Sequence, residues 1–101
     1  MIAAQIIDEA IKHYGANNQL FVVIEELSEL QKEVTKALRG KLDREHLLEE
    51  FVDVEIVLEY IRKIYEFTKD EEFIEKHKKL VRLEGTIENE RKKYKKDEKT
   101  V

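Results

Sequence analysis

The sequence predicts an all-α protein. Its 101 residues include no proline and only three glycines, a composition that favours long helices. Apolar residues recur at intervals of three and four, and no segment alternates as a half-buried strand does. One domain is expected at this length. Because cysteine is absent, the fold must depend on an apolar core, within one chain or shared with a second.

Four helices are expected, and glycines mark the ends of the first two. The first spans about residues 2–14, and Gly15 is placed to end it in the left-handed conformation. The second spans about residues 19–39, with one of the two asparagines after Gly15 as its N-cap and Gly40 as its stop. Asp43 caps the third helix. The predicted apolar stripe of the second helix is Leu20, Val23, Leu27, Leu30, Val34 and Leu38.

The third helix should be the most buried element, because apolar residues occupy one face and spread onto others. Thr68 and Glu71 have the spacing of a capping box for the fourth helix. Gly85 lies inside that helix and is expected to bend or interrupt it. The apolar stripe stops near residue 91, which divides the chain into a domain of residues 1–91 and a charged, frayed tail of residues 92–101.

Charge is unevenly distributed along the chain, which has a net charge of -4. Residues 1–60 carry 13 acidic and 6 basic side chains, whereas residues 61–101 carry 10 acidic and 13 basic ones. This balance is not that of a nucleic-acid binder, so no stable binding of nucleic acid is expected. The longest apolar run, Leu20–Ile24, is too short to cross a bilayer, and no signal-peptide pattern is present. No membrane association and a cytoplasmic location are therefore expected.

Two acidic pairs on the second and third helices indicate a cation site. Glu26 and Glu29, and likewise Glu50 and Asp53, are spaced i, i+3 and so project from one side of each helix. In an antiparallel hairpin, residues at one level have the same sum of positions, which is 79 for Glu26 with Asp53 and for Glu29 with Glu50. Four crowded carboxylates either raise their pKa values or bind a cation. Oxygen ligands with no cysteine or nearby histidine suit Mg²⁺ or Mn²⁺, although outer-face charges would show the same pattern.

These acids also carry a resemblance to a known family. The segments Glu25–Leu30 and Glu49–Val54 resemble the ExxE…ExxD signature of the all-α nucleoside triphosphate pyrophosphohydrolases, the MazG-like superfamily. The similarity extends upstream to Tyr14 and downstream to Leu83, and so covers most of the chain. The resemblance implies a four-helix bundle that forms a homodimer or homotetramer and hydrolyses a (d)NTP between the α and β phosphates, releasing monophosphate and pyrophosphate. It also implies that four acids bind Mg²⁺ and carry the catalysis, namely Glu26, Glu29, Glu50 and Asp53.

Substrate contacts are assigned to three further residues. Lys79 and Arg82, spaced i, i+3 on the fourth helix, match a basic pair in the family and are assigned to phosphate, with a solvated lysine-rich face as the alternative. Gln19 is assigned to the base edge. Two other functions stay open: a phosphoribosyl-ATP pyrophosphohydrolase of the same superfamily, and a non-catalytic helical interaction module. A homo-oligomer also follows from the apolar residues around most of the third helix, which a monomer would leave exposed.

Overall fold

The computed structural model describes residues 2–99, with side chains described up to residue 97, and over this range it contains four α-helices and no strand. The helices are α1 (Ala3–Tyr14), α2 (Ala16–Leu38), α3 (Arg44–Ile64) and α4 (Lys69–Lys99). The predicted all-α class and number of helices are confirmed. The chain divides into two compact units, one containing α1–α3 up to Phe67 and one containing α4 from Thr68 onward.

A single residue, Gly15, separates α1 from α2. Its φ of +92° lies in a region that side chains disfavour, which confirms the prediction that Gly15 ends the first helix. The Gly15 carbonyl accepts a hydrogen bond from the Gln19 amide at 3.2 Å, so α2 starts at Ala16, earlier than predicted. The predicted asparagine cap is wrong for this reason. Asn18 instead donates its side-chain amide to the Tyr14 carbonyl at 2.7 Å.

The connection between α2 and α3 is short and capped at both ends. Gly40 has a φ of +78°, and two backbone hydrogen bonds of a Schellman motif close the last turn of α2, donated by Gly40 at 3.1 Å and by Lys41 at 2.9 Å. The Asp43 carboxylate accepts a hydrogen bond from the His46 amide at 3.1 Å and caps α3. Both predicted signals are confirmed, and together they return the chain as an antiparallel hairpin.

The core of the first unit is small and lies mainly between α2 and α3. On α2 a buried or half-buried face follows the positions 19, 23, 26, 30, 33 and 37. The predicted stripe of α2 is therefore wrong in its orientation: it shares Val23 and Leu30 with this face, but Leu38 is 85% exposed. α3 contributes Val54 and Val57 to the core. Two polar residues of α2, Gln19 and Glu33, are also buried.

Helix α4 is one continuous element of 31 residues. It begins at the predicted capping box, in which the Thr68 amide donates to Glu71 at 2.8 Å and the Glu71 amide donates to the Thr68 hydroxyl at 3.1 Å. The predicted interruption at Gly85 is wrong, because a glycine costs about 1 kcal/mol, whereas stopping and restarting a helix requires an unfavourable new nucleus. The helix continues through residues 92–99 of the predicted tail, and residues 100–101 lie outside the described part.

The apolar residues of α4 are exposed rather than buried within their own unit. Phe73 is 70% exposed, and the same is true to a lesser degree of the other apolar members of the predicted stripe, Ile74, Leu80, Val81, Leu83 and Ile87. None of the helices in residues 2–99 has the combined length and hydropathy that a bilayer span requires.

Candidate metal centre

Three of the predicted acidic residues meet between α2 and α3. Glu26 on α2 and both Glu50 and Asp53 on α3 each offer one carboxylate oxygen, and these oxygens lie within 4.8 Å of one another. All three side chains are half-buried. We call this group the acidic cluster. The hairpin brings Glu26 and Asp53 together, as the predicted register requires, whereas Glu50 meets Glu26 rather than its predicted partner Glu29.

Glu29, the fourth predicted ligand, is exposed and does not belong to the group of three converging oxygens. It lies close enough for its negative charge to act on Glu26. The structure therefore brings together three of the four predicted acids and leaves Glu29 beside them on the solvent side of α2.

The electrostatics of the acidic cluster show the predicted repulsion. Burial raises the pKa of Glu26, and the negative charges of Asp53 and Glu50 raise it further. A hydrogen bond between the Glu26 and Glu50 side chains and the charge of Glu29 act in the same direction. The Glu26 carboxyl therefore has a raised pKa and holds a proton more readily than an isolated glutamate does.

A histidine lies against this cluster, contrary to the expectation of no nearby histidine. The His46 Nε2 atom lies 3.3 Å from Glu50 Oε1, and its Nδ1 atom lies 3.0 Å from Glu33 Oε1. The imidazole therefore crosses from α3 to α2 and connects two carboxylates. Two signals in the sequence could have revealed it: His46 precedes Glu50 by four residues, and the positions of His46 and Glu33 also sum to 79.

Glu33 is the most deeply buried acid of this region. Its side chain is 2% exposed, and its Oε1 atom accepts a hydrogen bond from Lys36 Nζ at 3.2 Å in addition to facing His46. No described residue donates a hydrogen bond to its Oε2 atom. Burying a carboxylate oxygen without a partner is costly, so Glu33 contributes less to the stability of the hairpin than an apolar residue of similar size would.

The donor set fits a hard divalent cation. Glu50 Oε2, like Glu33 Oε2, is buried and receives no hydrogen bond from a described residue. A carboxylate oxygen in that condition, at a point where two other carboxylates converge, can gain a partner in the form of a cation. Carboxylate oxygens are the ligands that Mg²⁺ and Mn²⁺ take in proteins.

The predicted substrate-binding residues occupy different places. Gln19 is 5% exposed and lies seven residues before Glu26 on α2, a rise of about 10 Å along the helix. Lys79 and Arg82 belong to α4, in the second unit, where both are exposed. Neither forms an ion pair with a residue in the described part of the chain, so both cationic groups are available to bind an anion.

An open apolar groove lies between α2 and α3. It encloses about 400 Å³ and is lined by five apolar residues and one arginine: Leu30, Val34, Leu47, Leu48, Phe51 and Arg44. Several of these were expected in the core. Leu30 and Val34 belong to the predicted stripe of the second helix, but Val34, like Phe51 on α3, is about half exposed.

Comparison with known proteins does not identify the family. No protein-family model, curated protein or solved structure matches the chain. The resemblance to the pyrophosphohydrolases therefore depends on the signature residues of the sequence alone.

Proposed function

We propose that this chain is a Mg²⁺-dependent nucleoside triphosphate pyrophosphohydrolase that cleaves a (d)NTP between the α and β phosphates. The observation that carries the proposal is the convergence of Glu26, Glu50 and Asp53 within 4.8 Å. These residues come from both halves of the ExxE…ExxD signature. Two carboxylate charges at 4.8 Å repel each other by about 1 kcal/mol in water and about 3.5 kcal/mol at an effective dielectric constant of 20. This repulsion destabilises the helix interface, and a bound cation would relieve it.

In this proposal the three clustered acids hold Mg²⁺, and Glu29 completes the set from the solvent side. A bound Mg²⁺ supplies charge neutralisation at the phosphoryl oxygens and lowers the pKa of a coordinated water. Glu26 links this site to pH, because a proton and a cation compete for its carboxylate and its raised pKa favours the proton. Mg²⁺ affinity is accordingly expected to fall as the solution becomes more acidic.

The α–β linkage is proposed because the family resemblance implies it and because a cation held by the acidic cluster would stabilise the negative charge that develops at the reacting phosphorus. The sequence contains no glycine-rich loop of the kind that cradles β and γ phosphates. We assign the outer phosphates to Lys79 and Arg82, which are exposed cations without a described partner. With those phosphates held by cations, pyrophosphate becomes the leaving group. Gln19 stays assigned to the base edge, and because it is 5% exposed, a base would have to displace its neighbours to reach it.

The proposal is tested by incubating the protein with each (d)NTP and Mg²⁺ and separating the products by anion exchange. Monophosphate and pyrophosphate are expected. Asp53→Asn should abolish turnover, whereas Glu55→Gln, a matched change at an exposed position of the same helix, should retain it. Diphosphate and orthophosphate as products would contradict cleavage at the α–β linkage, and full activity of Asp53→Asn would contradict the assigned site.

The exposed apolar side chains favour a second candidate, a non-catalytic interaction module. Only four apolar side chains of the described residues are buried, whereas Phe21, Ile24 and Phe73 are each at least 60% exposed. Such exposure indicates a surface that another chain covers. It equally supports a homodimer or homotetramer of the enzyme, so oligomerisation alone does not separate the two candidates. Absence of turnover of every nucleotide with either Mg²⁺ or Mn²⁺ would favour the module.

A further inference from the structure

His46 occupies a position that joins the acidic cluster to a buried anchor. Its backbone amide is fixed by the Asp43 carboxylate at 3.1 Å, and its imidazole reaches Glu50 on one side and Glu33 on the other, at 3.3 Å and 3.0 Å. Because the His46 side chain is 40% exposed, packing contributes little to holding it there. The two carboxylates are what define its orientation.

Glu33 is well suited to serve as the anchor. Its side chain is 2% exposed, so the surrounding helices restrict its rotamers, and its Oε1 atom is the point that both Lys36 and His46 contact. The Glu50 side chain is less buried, at 12% exposed, and its orientation determines whether its oxygens face Glu26 and Asp53. Because His46 contacts Glu50 Oε1, the buried Glu50 Oε2 atom, which has no described hydrogen-bond partner, can bind another ligand.

We propose that His46 is a positioning residue for the cation site, linking Glu50 to Glu33 and thereby holding the Glu50 carboxylate toward Glu26 and Asp53. This inference rests on the proposed function, since it takes the acidic cluster as the set of cation ligands. It assigns a role to a buried acid and a histidine that the ExxE…ExxD signature does not contain. Groups that orient the ligands of a metal commonly change its affinity by about 10- to 100-fold when they are removed.

The test measures Mn²⁺ binding in the absence of nucleotide, by calorimetry and by the electron paramagnetic resonance signal of free Mn²⁺. His46→Ala is expected to weaken Mn²⁺ binding by about tenfold. Glu33→Leu should weaken it similarly while raising the melting temperature in EDTA, because it replaces a buried, partly unsatisfied carboxylate by an apolar group. A gain in stability together with a loss of affinity cannot result from general damage to the fold.

Two comparisons make the test specific. Lys36→Ala removes a second contact of Glu33 Oε1 that does not reach Glu50, so Mn²⁺ affinity should be unchanged. The double variant of His46→Ala and Glu33→Leu should bind no more weakly than either single variant, because both changes break the same chain of contacts. Additive losses would overturn the proposal.

The outcomes also separate this inference from the proposed function. If Asp53→Asn weakens Mn²⁺ binding and His46→Ala does not, the positioning role is refuted and the acidic cluster stands as the cation site. If the unmodified protein binds no Mn²⁺, or if Asp53→Asn binds as tightly as the unmodified protein, the cation site itself is refuted and the role of His46 falls with it.

Discussion

Replacing Asp53 by asparagine should change the stability of the protein in opposite directions with and without Mg²⁺. The substitution removes one negative charge and preserves the size of the side chain. In the unmodified protein a carboxylate oxygen of Asp53 lies within 4.8 Å of oxygens of both Glu26 and Glu50, so the change removes two repulsive pairs at once. Asp53 has no ion pair with a described residue that the substitution would break at the same time.

The size of the effect follows from the charge separation. Each pair at 4.8 Å contributes about 1 to 3.5 kcal/mol of repulsion, depending on the effective dielectric constant. Because the side chains are only half-buried and can turn apart, we expect a net stabilisation near the lower limit, about 1 kcal/mol. For a domain of this size that corresponds to a rise in melting temperature of about 4 to 8 °C in EDTA.

Mg²⁺ should reverse the order of stability and make the unmodified protein more stable than Asp53→Asn. At a concentration about 100 times its dissociation constant, a ligand that binds only the folded state adds about 2.7 kcal/mol. The unmodified protein should gain this stabilisation and Asp53→Asn should lose most of it. The assay is thermal unfolding followed by circular dichroism, at one protein concentration, in EDTA and over a series of MgCl₂ concentrations.

Glu55→Gln is the matched control, because Glu55 is exposed on α3 and lies outside the acidic cluster. Its melting temperature should follow that of the unmodified protein under both conditions. The reasoning would be refuted if Asp53→Asn were the less stable protein in EDTA, or if Mg²⁺ raised the melting temperatures of Asp53→Asn and the unmodified protein equally.

Three other predictions concern pH, substrate and assembly. Since the pKa of Glu26 is raised above its ordinary value of 4.5, the folded state binds this proton more tightly than the unfolded state, and metal-free stability should fall as pH rises from 4.5 through the raised pKa. Urea unfolding across that interval should show the decline, and Glu26→Gln should reduce its slope. Arg82→Ala should raise the inhibition constant of a non-hydrolysable triphosphate analogue more than that of the monophosphate, and an equal effect on both would contradict the assignment to outer phosphates. Light scattering should report a dimer or larger assembly at micromolar concentration, and a uniform 12 kDa species would contradict the interpretation of the exposed apolar residues.

The ends of the helices could be predicted because their signals are local. Gly15, Gly40, Asp43 and the Thr68 capping box each act through hydrogen bonds between residues a few positions apart, and each is found where the sequence indicates it. The prediction that Gly85 interrupts the fourth helix was wrong for a different reason. A local penalty for glycine does not include the cost of two additional helix ends, and that cost keeps α4 continuous.

The orientation of α2 could not be predicted by the rule that charged residues face solvent. That rule places Glu33 outside, whereas a contact with His46, 13 residues later on another helix, compensates part of the cost of burying it. The acidic cluster was predictable from the register because two short signals combine in it, the i, i+3 spacing and the short connection. The bridge formed by His46 could not be read from the acidic pairs alone, because it joins a histidine to carboxylates on two helices.

The buried carboxylate of Glu33 has a consequence for how this sequence should drift under mutation. A leucine at that position would make a more stable hairpin, and random substitution therefore offers a steady supply of chains that fold better without the glutamate. In descendants that no longer need Glu33, the acid should give way to apolar residues, with His46 free to vary at the same time. If descendants keep both Glu33 and His46, selection must act on a property of the hairpin other than its stability.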